Sequence, residues 1–412
     1  MVKPARPLVA FFFASGLLAC RSTAFAQTLF GTPATARGLA AFLAAMQHPT
    51  TGLLGSFPRS RDAAFQRVAF TYDMAVSALV LAHHGDVQAS SRVLDAYRQM
   101  SLPGADLLTF NTAYDINTAR PAWEYHVHAG PLCWVAIALI RSGELTDQPE
   151  DIEKGAQLLE WVRGHLNHFK GGVVMGLEDP WAYTMSVENN WVYYAALRVA
   201  MSRLQEGPRR EAFAEEARGV RAWLERNIRN RGEGDAVKAL DVYTHALLVG
   251  PEAHLDDGPI HDPERLAGWA RDWIRELDEL FQVPGTARYD YTDAHEARLI
   301  GRERAGWLEG TEQVAVAYLT WAPLFEAQGD TQFAQHLREQ AARAHEEVLL
   351  FAIDDGHGVA LPNTDAPQPF QTFMDGWMAQ SKNEPALNGT NWAYLAAVGY
   401  NPLTMKLPKS DD

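Results

Sequence analysis

Two kinds of predicted helix alternate along this chain, and that alternation limits the fold more than any other feature. The first kind is amphipathic and charged: Thr35–Gln47, Val87–Met100, Asp151–His165, Arg209–Arg229, Pro263–Phe281 and Gln332–Phe351. In Asp151–His165, Ile152, Ala156, Leu158, Leu159 and Val162 form one apolar stripe, while Glu153, Lys154, Glu160 and Arg163 lie off it. Such a helix keeps one face in water. The second kind is apolar nearly all round behind a polar start: Thr71–His83, His128–Ser142, Ser186–Met201, Ala239–Val249, Glu309–Phe325 and Thr390–Val398. A helix that is apolar on every face must be surrounded by protein.

Strict alternation pairs each outer helix with an inner one. The inner starts near residues 71, 128, 186, 239, 309 and 390 recur at a loose period, and no alternating strand pattern of useful length interrupts them. Six helical hairpins at such a period predict a closed repeat, in which neighbours bury each other's apolar faces. The expected fold class is all-α, an (α/α)6 toroid with six inner helices inside six outer ones. An open helical solenoid is the alternative. In the toroid all inner helices present the same end to one face, and the connections 106–126, 169–183, 283–307 and 354–388 wall a cavity there.

The inner starts carry matching chemistry. They read Thr71-Tyr-Asp-Met, His128-Ala-Gly-Pro-Leu-Cys-Trp, Ser186-Val-Glu-Asn-Asn-Trp, Ala239-Leu-Asp-Val-Tyr, Trp307-Leu-Glu-Gly-Thr-Glu and Asn388-Gly-Thr-Asn-Trp. Asp73, Glu188, Asp241 and Glu309 place a carboxylate at four of them, and Glu312 adds another. Acids in a first helical turn also complement the helix dipole, so any one alone is unremarkable as a site. Their repetition beside Tyr72, Trp134, Trp191, Tyr243, Trp307 and Trp392 is what points to sugar chemistry. Aromatic faces cover pyranose rings, and amides such as Asn190 and Asn391 bind hydroxyls. One protonated acid can donate to a glycosidic oxygen while a second carboxylate activates water. The expected catalytic set is Glu309 as acid, with Glu188 or Asp73 as base. Tyr72, Asn190, Trp191, Asp241, Trp307, Glu312, Asn391, Trp392 and His128 are the expected substrate contacts.

Other patterns exclude more than they propose. A formal charge of -15 leaves no basic patch to neutralise phosphates, so nucleic acid is not an expected partner. Lys3 and Arg6 precede the apolar run Leu8–Ala19, and Ala24-Phe-Ala26 offers a small-x-small cleavage pattern. Residues 1–26 are therefore expected to be a secretory signal peptide and 27–412 one toroid domain, in the periplasm or outside the cell. Anchoring through Cys20 is the less favoured variant, and no transmembrane span is expected. Cys133 would be the one remaining cysteine, buried in an apolar helix. No Gly-rich phosphate loop, nucleophile elbow or metal-ligand spacing occurs, so no metal or cofactor is expected. A monomer is expected.

Thr71-Tyr-Asp-Met-Ala, Glu188-Asn-Asn-Trp, Trp307-Leu-Glu-Gly-Thr-Glu-Gln and Asn388-Gly-Thr-Asn-Trp together resemble the bacterial six-hairpin glycosidase-like proteins. That resemblance implies a carbohydrate-active enzyme and inverting hydrolysis, without fixing the substrate. Two rivals stand beside it. A polysaccharide lyase or sugar isomerase would use Tyr125, His126 or His128 for proton abstraction, and a lyase would need Arg61 or Arg120 to neutralise a uronate. A non-catalytic sugar-binding protein would need only the aromatic platform.

Overall fold

The computed structural model describes residues 33–100, 110–122, 126–227, 238–257, 262–373 and 377–404. The expected signal peptide lies outside these residues, as does Tyr125. Fourteen α-helices are present among them, and the twelve expected ones all form, with no end more than three residues from its expected place. The outer helices are α1 (Pro33–Ala45), α3 (Val87–Met100), α5 (Pro149–His165), α7 (Pro208–Asn227), α10 (Pro263–Phe281) and α13 (Thr331–Leu349). The inner ones are α2 (Thr71–His84), α4 (Ala129–Leu145), α6 (Val187–Met201), α8 (Leu240–Leu248), α12 (Leu308–Ala327) and α14 (Leu387–Ala397). Two shorter helices, α9 (Gly250–Asp257) and α11 (Ala294–Leu299), were hidden in connections.

Local chemistry sets the helix ends. Asp262 accepts the Glu264 N–H, and Pro263 stands at the first position of α10, where no N–H is needed. Ser186 Oγ accepts the Asn189 N–H at the start of α6. Helix α2 stops at Gly85, whose φ of 88° is left-handed. The buried stripe of α10 runs Leu266, Ala270, Trp273, Ile274, Leu277 and Phe281, one face only, whereas α4 and α12 are buried on almost every side.

Inner helices pack in the order α2, α4, α6, α8, α12, α14, and α14 returns to α2, so the ring closes. Each outer helix packs on its inner partner, and α1 lies over the junction of α14 with α2. The fold is thus the (α/α)6 toroid. Polar groups staple the junction. Asn391 Nδ2 donates to the Asp73 carbonyl at 3.0 Å, and Asn391 Oδ1 accepts from Ser77 Oγ at 3.0 Å. Gly389 brings α14 so near the Pro362 carbonyl that a Cβ would sit 2.5 Å from its oxygen.

Strands occur only in the connections and are two to four residues long, too short for a period of two to show in sequence. β1 (Val68–Phe70) pairs antiparallel with β2 (Ala113–Asp115), and β3 (His168–Phe169) with β4 (Gly172–Val173). β5 (Ile353–Asp354) and β6 (Val359–Pro362) form a hairpin extended by β9 (Pro385–Ala386), while β7 (Phe370–Gln371) pairs with β8 (Met378–Ala379).

Glu312 corrects one expectation. It does not face the cavity but turns outward from α12 toward α13, where His345 Nδ1 donates to both its oxygens at 2.8 and 2.9 Å. Both side chains are fully buried. We expect His345→Leu to strand that carboxyl group in an apolar seam and cost about 3 kcal/mol. Replacing Glu312 by Leu as well should recover most of the loss in chemical denaturation.

Candidate active site

The inner-helix starts and their connections enclose a cavity of about 800 Å³. Asp73, Glu188, Asp241 and Glu309 all line it, with Tyr72 and Trp307. One carboxyl comes from each of α2, α6, α8 and α12, so the ring itself brings together acids scattered over more than 200 residues of chain.

Glu309 is the most elaborately held. Tyr72 Oη donates to its Oε1 at 2.7 Å, and Tyr72 in turn accepts from Trp392 Nε1 at 2.6 Å. Gln313 Nε2 reaches the same Oε1 at 3.4 Å. The Gln313 amide is oriented because its Oε1 accepts from Thr244 Oγ1 at 2.7 Å. Tyr72 and Gln313 converge on one oxygen, and Trp307, which starts the same helix, hydrogen-bonds the carboxyl as well. Burial pushes the Glu309 carboxyl up to about 8, against the pull of the Tyr72 hydroxyl, and the nearby Asp73 and Asp241 raise it further. Tyr72 remains a donor because burial and the adjoining Glu309 hold its phenol well above the usual range.

The other acids differ in setting. Asp73 is 3% exposed, and burial raises it to about 7 despite a hydrogen bond with Ser56. Asp241 rises to about 6 for the same reason, countered by Tyr291 Oη, which donates to its Oδ2 at 3.1 Å. Glu188 keeps some solvent, with 26% of its side chain exposed, and its Oε1 lies 4.0 Å from His245 Nε2. His245 lies one turn after Asp241 and gives its Nδ1 hydrogen to the Asp241 carbonyl at 2.7 Å. The lone pair therefore sits on Nε2, and burial lowers the imidazole to about 4, so the ring is neutral near pH 7.

Several expected sugar contacts do not line the cavity. Asn190 is fully buried and spends its amide on β4, accepting from Val173 N at 2.8 Å and donating to Val173 O and Ser186 O. Trp191 points into the wall, under the Arg221 guanidinium and beside Tyr194 and His254. Asn391 staples the ring, and Trp392 reaches the site only through Tyr72. His128 is the N-terminal cap residue of α4, with its ring stacked on His126 and edge-on to Trp181. Burial lowers it to about 4. Neither His126 nor Arg61 nor Arg120 lines the cavity, and among the described residues no Lys or Arg does.

Sequence reasoning misses His245 and Tyr291. The spacing Asp241–His245 is one helical turn and could have marked the histidine, whereas Tyr291 arrives from a connection that no periodicity describes. Trp134, Trp181 and Trp377, with Phe57, Phe65 and Phe70, complete the aromatic lining. Gly130 permits the close approach of α4 to α6, since a Cβ there would meet Asn189 Oδ1 at 2.3 Å.

No protein-family model matches the sequence, and no curated protein matches it. Solved structures do resemble it in fold. The cellobiose 2-epimerase from Spirochaeta thermophila superposes with a TM-score of 0.62 at 14% identity, covering 93% of this chain and 97% of that one. A D-mannose isomerase gives 0.61 at 14% identity, over 90% and 98%. A glycosidase in complex with glucose gives 0.57 at 14% identity, over 89% and 96%. All three share the six-hairpin toroid.

Three buried carboxyls with raised pKa values make stability pH-dependent with a definite sign. Their folded pKa values of about 8, 7 and 6 exceed the unfolded ones, so the folded state binds more protons in between. The contribution of these three groups is then greatest below the ordinary carboxylate range and falls as pH rises toward 8, by up to roughly 1.4 kcal/mol per pH unit for each group titrating. Urea unfolding at pH 5 and pH 8 should show this, and Glu309→Gln should flatten the slope between them.

Proposed function

We propose that this chain, a six-hairpin toroid with a carboxylate-lined cavity at one end of its ring, is a glycoside hydrolase acting on a neutral sugar. The observation that carries the reading is Glu309: a buried acid still protonated near neutral pH, lining the cavity and oriented by Tyr72 and Gln313 on its Oε1. That proton passes to the glycosidic oxygen as the bond to the anomeric carbon breaks. Tyr72 and Gln313 then stabilise the new carboxylate through hydrogen bonds that strengthen as charge develops. Glu188, whose side chain is 26% exposed, takes a proton from the water that attacks the opposite face, and the product has inverted configuration. Trp134 and Trp307 cover the faces of the ring, and Asp73 and Asp241 accept from its hydroxyls.

The charge of the cavity supports a neutral substrate. Five acids and no described Lys or Arg would repel a uronate or sulfated sugar, which also weighs against the lyase rival. A second reading has its own support. His245 presents a neutral Nε2 lone pair at the cavity wall, as an isomerase or epimerase needs for removing a proton next to a carbonyl. Export through residues 1–26 belongs to the proposal and rests on the sequence. N-terminal sequencing of protein recovered outside the cytoplasm should begin at Gln27.

The deciding experiment incubates the protein with neutral disaccharides and alkyl glycosides, and separately with glucose and mannose, in D2O. Release of monosaccharide without deuterium at C2 supports hydrolysis, and deuterium at C2 of the free sugars would overturn it in favour of isomerisation. Glu309→Gln and Glu188→Gln should each lower kcat by about 10² to 10⁴. Wild-type kcat/KM should decline above pH 8, where Glu309 loses its proton.

A further inference from the structure

The cavity is chemically two-sided, and the side next to Glu309 is apolar. Phe57, Phe65 and Phe70 line it from the connection that leads into α2. Phe57 meets both others edge-on, with ring centroids 5.6 and 6.3 Å away. Phe70 stands two residues before Tyr72, the residue that donates to Glu309. On the neighbouring β7–β8 hairpin, Trp377 and Met378 line the same cavity and are 37% and 45% exposed. Trp377 lies 6.2 Å from Trp307, which starts the helix carrying Glu309. The two groups adjoin, because Ser60 Oγ donates to Gln380 Oε1 at 3.3 Å and Leu387 N donates to Ser56 O at 3.0 Å. Two acids border this side: Asp62 turns one oxygen to its own backbone, accepting the Ala64 N–H at 2.8 Å, and Asp73 hydrogen-bonds Ser56, the residue before Phe57.

Phenylalanine and methionine cannot answer a hydroxyl. A sugar ring laid on Phe57, Phe65, Phe70 and Met378 would lose water from the hydroxyls it covers with no replacement partner from those four side chains, which is unfavourable for each hydroxyl. Exposed Trp and Met at the edge of a cavity would instead gain from covering by apolar surface. The acid that protonates the glycosidic oxygen must face the departing group, so the rim beside Glu309 is where that group lies.

We infer that this rim is an aglycone subsite, and that the substrates are glycosides of a neutral sugar with an apolar aglycone rather than sugar-to-sugar linkages. This rests on the hydrolase reading. In hydrolysis water adds across the bond between the anomeric carbon and the glycosidic oxygen, giving a reducing sugar and an apolar alcohol, with no other reactant.

Methyl and octyl glycosides of glucose and mannose, both anomers, test it, since alkyl leaving groups of similar acidity differ only in apolar length. The expected result is a kcat/KM for the octyl glycoside roughly 50-fold above the methyl one, the gain from burying about three methylenes. Met378→Ser and Trp377→Ser should narrow that ratio several-fold, and both residues are exposed enough for the variants to fold. Binding of the same glycosides to Glu309→Gln, followed by calorimetry below micelle concentrations, separates the two proposals. Equal turnover of octyl and methyl glycosides would overturn the aglycone subsite and leave the hydrolase. Tighter octyl binding with no turnover by wild type would overturn the hydrolase and leave an apolar binding rim. Equal binding, or none, would overturn the subsite outright.

Discussion

The contact between the first and last inner helices is the constraint on which the site depends. Asn391 ties α14 to the Asp73 carbonyl and to Ser77, and Trp392 on the same helix donates to Tyr72. Tyr72 in turn donates to Glu309 on α12. A ring of helices held by apolar packing alone could slide, because dispersion contacts have little direction. These polar staples fix the rotation of α2 against α14 and hence the position of the phenol that positions the acid. Asn391, Ser77 and Trp392 are fully buried, where an unpaired partner is costly and a paired one specifies a single arrangement.

The same logic explains what was readable in the sequence. Helix existence and order were legible because the chain writes burial twice over, as striped outer helices and unstriped inner ones. The cavity end was legible because acids recur at inner starts, where an apolar helix has no other use for them. The rotation of each inner helix was not. A helix apolar on every face offers no stripe to show which way a given residue points, so Glu309 and Glu312 could not be told apart. Glu312 faces an outer helix and pairs with His345, while Gln313, one residue on, turns toward Glu309. Asn190, Asn391, Trp191 and Trp392 were indistinguishable from sugar contacts for the same reason. Buried amides and indoles in a wall and in a site have the same composition, and differ only in which groups satisfy them.

Tertiary context also supplied His245 and Tyr291. Neither belongs to a repeating pattern, yet together they define Asp241, which lends its carbonyl to the imidazole and accepts from the phenol. The neutral histidine beside Glu188 gives the cavity a polar part with a base on each of two helices, and Tyr291 joins it to the aromatic rim by packing on Trp377. Different sugar chemistries on one toroid then require only different use of the same inner ends, since the scaffold positions whatever those ends carry.

The staple from Trp392 to Tyr72 joins residues 320 positions apart. The pocket cannot exist as a formed object until the segment of α14 has been synthesised and has docked against α2. Until then the α2 end of the ring is an apolar edge without a neighbour, and its acids lack the burial that gives Glu309 its proton. Loop closure over so long a span is entropically slow, which makes the last hairpin the step that completes the molecule. Any reactive power of this chain is therefore latent through its synthesis and is switched on by ring closure itself.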